Sequence, residues 1–425
     1  MVSVWFRTFH YTPCLAYFFC EFMIELIFAF AVGTVLGVLA GLIPGLHQNN
    51  FIPIILGASF LFEPMAAAII LISAAVVNSF VNYIPSILLG APEDSSALSV
   101  LPGHRLLLQG RGYEAIRLTV IGNFLGAVFA VFSLPLFTIV VPWIYDIVHP
   151  NLFWILSFVV VYMIFSEKSL RQIFLAVLVF ALAGALGIIV LNNYPNDFLF
   201  PLLAGLFGLP MLLLSFQQKT NFPENFSFET EKLKKLTIAS AVSIGSLAGI
   251  IAGLLPGVGN AQATLIAQEA VGSQKNSSEL SARKFLISIG SVNMADFIYS
   301  LFALFLIGRP RSGIAAAVEK LMSVGETEIL IFVILILFSA GIGAAVTLLL
   351  SRRALFFMRR VFYPRLSIAV FVFILALIFV FTGAVGIFVS LTALAIGLVA
   401  NLSGVKRSHA MGCLILPTIL FFSGI

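Results

Sequence analysis

The run "LSIAVFVFILALIFVFTG" (366–383) carries no charge, and it limits most narrowly what this chain can fold into. An apolar helix of that length crosses the roughly 30 Å hydrocarbon core of a bilayer, where each backbone N–H and C=O must be bonded within its own segment. "EILIFVILILFSAGIGAAVTLLLS" (328–351) is a second such run. A membrane β-barrel would instead show segments of about ten residues with alternating polarity. With 61% hydrophobic residues, 10% charged residues and a mean hydropathy of +1.12, the chain cannot cover itself with a soluble surface. It reads as an all-α polytopic membrane protein. The net charge of +5 is explained by the orientation of loops across a membrane and needs no nucleic acid. Cys14, Cys20 and Cys413 lack metal-ligand spacing and read as packing or lipid-facing residues. Residues 1–22 contain Arg7 and an apolar patch without a small-residue cleavage site, and Met23 could equally start translation. That segment is expected to be retained.

The chain also repeats itself. "GTVLGVLAGLIPGLHQNN" (33–50) returns as "GSLAGIIAGLLPGVGNAQ" (245–262), which sets Pro44 against Pro256. Downstream, Asn78 pairs with Asn293, Pro92 with Pro310 and Pro201 with Pro417, at offsets that drift by a few residues around half the chain. Self-similarity of this kind points to a duplicated unit. Each half is expected to hold one Pro-Gly-tipped hairpin (26–62 and 237–271) and about five spans. These are 65–90, 118–141, 151–165, 172–191 and 198–216, then 285–307, 328–351, 366–382, 386–402 and 410–425. The chain divides into an N-terminal segment (1–22), a first repeat (23–216), a cytoplasmic linker (217–236) and a second repeat (237–425).

Short cytoplasmic loops collect Lys and Arg. With the linker inside, 19 of the 23 basic residues fall inside, leaving Arg7, Arg309, Arg311 and Lys320 outside. "WIYDIVHP" (143–150) has no Lys or Arg, whereas its counterpart 352–365 has five Arg. Opposite bias in equivalent loops predicts inverted-topology repeats, the architecture of many secondary transporters.

The Pro-Gly tips break an apolar helix at membrane depth, where irregular backbone survives only inside protein or around a cavity. Free N–H groups and the helix dipole at such a tip favour an anion, and Gly45, Gly257 and Gly259 let backbone approach it. His47, Asn49, Asn50, Asn260, Gln262 and Thr264 supply side-chain donors and acceptors. For each alone, a helix cap or an interhelical hydrogen bond is the alternative. As a matched pair, the tips are expected to lie within about one ligand length of each other, near the midplane. A second cluster comprises Asn78, Ser79 and Asn82 against Asn293 and Asp296. An acidic residue in a span costs about 3 kcal/mol or more and has a partner or a path. Asp296 binds Na⁺, carries a proton, or is held neutral by an Asn or Tyr299. "APEDSS" (91–96), in the block paired with "GRPRSGIAAAVEKLM", reads as the acidic first turn of a helix. Arg309 and Arg311, against the charge bias, suit attraction of an anionic substrate.

Together "GLIPGLH", "GLLPGVGNA", "ILLGAPEDSSALSVLPGHRLLLQGRGYEAI" and "GRPRSGIAAAV" resemble the TctA family, the large permease subunit of tripartite tricarboxylate transporters, in the divergent form found in archaea. The resemblance begins near residue 26. It implies an ion-coupled permease for carboxylated metabolites such as citrate, working with a small membrane subunit and an extracytoplasmic binding protein. The chain departs from the bacterial pattern in "GAPEDSS", which is less rich in Gly and Ser, and in the shortened "QEAVGSQKNSSELSARKF". A cation or proton exchanger would account only for Asp296 and the Asn pairs. An intramembrane enzyme would need a nucleophile and base or a metal cluster, and the five His form no "HExxH". No Walker loop is present, and no cofactor is expected beyond a coupling Na⁺ or H⁺.

Overall fold

A computed structural model of the chain describes residues 12–43, 52, 55, 63–90, 98–167, 169–194, 198–217, 227–228, 233–254, 260–271, 279–308, 310–358 and 363–423. Its helices are α1 (Thr12–Leu42), α2 (Pro64–Val81), α3 (Tyr83–Leu89), α4 (Val100–Leu108), α5 (Gly112–Val148), α6 (Leu152–Phe165), α7 (Leu170–Asn193), α8 (Leu199–Leu203) and α9 (Leu209–Gln217). They continue with α10 (Lys235–Leu254), α11 (Asn260–Val271), α12 (Glu279–Ile307), α13 (Gly313–Leu321), α14 (Glu326–Met358), α15 (Tyr363–Ser403) and α16 (Gly412–Ser423). Among the described residues there is no strand, and eight helices are long and apolar enough to cross a membrane, with α2 and α3 forming one span. The chain is a multi-pass membrane protein. The expected spans near 151–165, 198–216 and 410–425 are shorter apolar helices.

The expected pair 366–382 and 386–402 is a single element, α15, interrupted at Gly383 (φ 66°, ψ −160°). A side chain at Gly386 would strike those of Thr382 and Ile378. A straight helix would hold Ile378 about 12 Å away along its axis, so the chain folds back at Gly383 into two arms. That backbone conformation is nearly exclusive to glycine.

Between helices in a bilayer the hydrophobic effect contributes nothing, so close backbone packing through small residues takes its place. Gly33, Gly37 and Gly41 of α1 lie against Ile70, Ala74 and Val81 of α2. Gly245, Gly249 and Gly253 of α10 lie in the same way against Ser288, Val292 and Tyr299 of α12. The glycines stand 212 positions apart and their partners 218 apart. Left-handed glycines ending α3 and α12, Gly90 and Gly308, are also 218 apart. This register sets Asn78 opposite Asp296, one helical turn beyond the Asn293 that sequence matching selects. In so uniformly apolar a sequence a slip of one turn leaves the hydrophobic pattern nearly unchanged.

Helices of one half pack into the other. Gly122 and Gly126 of α5 meet Ile287 and Ser291 of α12, while α14 packs on α2 with Gly343 against Phe80. Gly184 and Gly187 of α7 meet Leu416 and Cys413 of α16, which buries Cys413 as the packing reading expects. Gly205, in the π-helical turn Ala204–Gly208 between α8 and α9, meets Ser390 and Ala393 of the second arm of α15. The α2–α3 span and α12 are the most deeply buried of the eight.

One end of the bundle gathers charge. Arg111 pairs with Glu114 (2.5 Å) and with Glu279, and Arg283 pairs with Glu279 (2.7 Å) and Glu114 (3.3 Å). Ser227 of the linker donates its N–H to the carbonyl of Gly110 (2.8 Å), and Arg352 stands over the Tyr113 ring at 5.1 Å. Segments that the charge bias assigns to one side thus meet at one end.

Candidate functional site

The local cause of the site is a weakness in the most buried span. Pro85 has no N–H to offer the carbonyl of Val81, and the Ser79 hydroxyl bonds back to Ala75 O at 2.9 Å, a contact that tends to bend helices. The break between α2 and α3 is a loss of regular bonding for one residue at Asn82, which itself keeps helical φ and ψ (−62°, −18°). Asn78, Ser79 and Asn82 are all buried there.

The backbone carbonyl of Ser79 receives two side chains from other helices. Asn123 of α5 donates Nδ2–H to it at 2.7 Å and Asn293 of α12 at 3.3 Å. Asn293 Oδ1 in turn accepts from Asn260 Nδ2 at 3.0 Å, and Asn260 Oδ1 from the Thr264 hydroxyl at 3.3 Å. Asn260 opens α11, which packs against both α10 and α12, so this chain of bonds leads from the broken helix to the described arm behind the second Pro-Gly tip. All its members are buried, with Asn123 and Thr264 at 0% and 2% exposure. Polar groups this deep must be partnered or functional. Asn123 Oδ1 in the network, and Asn78 Nδ2 one residue before Ser79, have no hydrogen-bond partner among the described residues. They leave one acceptor in the network and one donor beside it uncommitted.

The structure therefore merges residues that the sequence reading kept apart: Asn260 and Thr264, expected at a substrate tip, join Asn293, expected at an ion site. Gln262 is buried on the same helix, and Asp296 is half-buried one turn beyond Asn293. The Tyr299 hydroxyl pairs with Ser133 at 2.9 Å. Arg311 is half-buried beyond the end of α12 opposite the Arg111–Glu279 cluster, just before Ser312 caps α13. Pro44, Gly45, His47, Asn49, Asn50, Pro256, Gly257, Gly259, Arg309 and "APEDSS" lie outside the described residues, and with them the expected approach of the two tips. Asn123 was missed by sequence reasoning. The signal was there, a single Asn in the apolar run "AIRLTVIGNFLGAVFAVF".

A second buried group ties α11 to the outer helices. Glu167, after α6, accepts from Lys406 N–H (3.0 Å) and pairs with His409 Nε2 (2.9 Å). Lys406 Nζ bonds the Ser166 hydroxyl (2.5 Å) and lies 3.7 Å from Glu269 of α11. No group of His, Cys, Asp or Glu with the spacing of a metal site occurs among the described residues.

A bundle of apolar helices around a buried amide network defines a polytopic membrane protein. The chain belongs to the tripartite tricarboxylate transporter TctA family, whose model matches residues 27–412. This is a transporter family and not an enzyme family; its members work in assemblies with other subunits. An uncharacterized protein of Methanocaldococcus jannaschii is 35% identical over 413 residues, 92% of this chain and 97% of that one. An uncharacterized 52.8 kDa protein from the TAR-I ttuC′ 3′ region of Agrobacterium vitis is 30% identical over 94 residues, 22% of this chain and 19% of that one. No solved structure matches the chain significantly.

Proposed function

We propose that the protein is an ion-coupled permease of the cell membrane that carries anionic carboxylates, tricarboxylates among them, by alternating access between two inverted halves. The observation that carries this reading is the Ser79 carbonyl, where side chains of α5 and α12 converge on the broken span at the seam of the two halves. Family membership supports the substrate class. Asn260, Gln262 and Thr264, with the tip residues Pro44 to Asn50 and Pro256 to Gly259, bind the substrate carboxylates. Asn78, Asn82, Asn293 and Asp296 serve the coupling ion, Na⁺ or H⁺. Amide and carbonyl oxygens coordinate Na⁺ without titrating, whereas Asp296 can do either. Arg309 and Arg311 draw the anion in from outside, and a small membrane subunit and an extracytoplasmic binding protein complete the system.

The test is counterflow of labelled citrate, succinate and amino acids into proteoliposomes, with and without a Na⁺ gradient. Citrate or succinate exchange driven above equilibrium by Na⁺ or by a proton gradient supports the reading. Exchange of Na⁺ and H⁺ that ignores every organic anion overturns it in favour of a cation exchanger.

A further inference from the structure

Helices α5 and α10 both flank α12. Gly126 and Gly245 meet it at the same level, each against Ser291. Between them runs an outward-open groove of about 450 Å³, lined by Leu125 and Phe129 of α5 and by Lys235, Ile238, Ala239 and Val242 of α10. Leu125 and Phe129 flank the Gly126 level, whereas Lys235 lies ten positions before Gly245, about 15 Å nearer the charged end of the bundle. The groove thus runs along the helices from a lysine at the rim to apolar side chains deep in the span. Leu125, Lys235 and Ala239 are exposed, and among the described residues neither Lys234 nor Lys235 has an ion-pair partner.

We propose that this groove holds one membrane phospholipid with an anionic headgroup, its phosphate against Lys235 and one hydrocarbon chain laid between α5 and α10. Basic residues at the edge of a gap between membrane helices attract acidic headgroups by charge and by position within the interface. Charge and polarity select this occupant: Lys235 at the rim suits an anionic headgroup, and the apolar side chains of Leu125, Phe129, Ile238 and Val242 suit a hydrocarbon chain. The site is independent of the transport reading, although Leu125 stands only two residues from Asn123, so the occupant packs against the helix that supplies the buried network.

The experiment titrates the purified full chain in detergent with dioleoylphosphatidylglycerol or dioleoylphosphatidylcholine and counts bound lipid by native mass spectrometry, with thermal unfolding to verify each variant's fold. Lys235→Gln should weaken binding of the glycerol lipid about fivefold and that of the choline lipid less, because choline already neutralises its own phosphate. Ala239→Trp should fill the groove and abolish retention of both. Equal binding of phosphatidylglycerol by wild type and Lys235→Gln overturns the proposal, as does full retention in the Ala239→Trp variant. Release by Ala239→Trp of a co-purifying small membrane protein, rather than lipid, overturns it too and makes the groove a subunit interface.

Discussion

Asn293 stands in the middle of the network, giving a hydrogen bond to Ser79 and taking one from Asn260, so disturbance at one end reaches the other through a single side chain. Asn260→Ala removes the link to α11. If the amide also meets a substrate carboxylate, affinity should fall about ten- to hundredfold, the worth of a hydrogen bond to a charged group; unchanged transport constants would remove Asn260 from the site. Asp296→Asn keeps shape and removes the charge. Uptake should then lose its concentrative power, the accumulation ratio falling to about one, while expression and melting temperature hold. Undiminished accumulation would return Asp296 to a packing role. Most of these residues were legible beforehand, because an amide or carboxylate in an apolar span is costly wherever it sits. Asn123 obeys the same rule but has no Asn counterpart in α14, so a search guided by duplication passes over it. The partnership of Asn260 with Asn293 was not legible, since it depends on how α11 lies across α12.

Among the elements, the glycine stripes of α1 and α10 make the sharpest claim. A β-carbon at Gly249 would run into the backbone of α12, whereas Gly341 of α14 has open space around it. Gly249→Val should therefore cost roughly 1–3 kcal/mol, read as a lowered melting temperature in detergent, and Gly341→Ala should leave it unmoved. Helix positions were readable from apolar run length. The cross-half pairing was not, for the sequence gives glycines a face without naming the helix they meet. The fold-back at Gly383 was anticipated as a boundary between two spans, and its cause is the backbone freedom that glycine alone supplies.

For the whole molecule, the 19 to 4 charge split predicts that the linker and the 352–365 loop are cytoplasmic and 143–150 outside. Single cysteines at positions 148 and 356 should react with a membrane-impermeant maleimide from opposite sides of sealed vesicles. Reaction from the same side would end the inverted-repeat reading. Cross-packing has a further consequence, for biogenesis. The α2–α3 span finds its partner α14 only after more than half of the chain has been synthesised. Until then the Phe80 face of that span, which Gly343 later covers, must rest against lipid or an insertase.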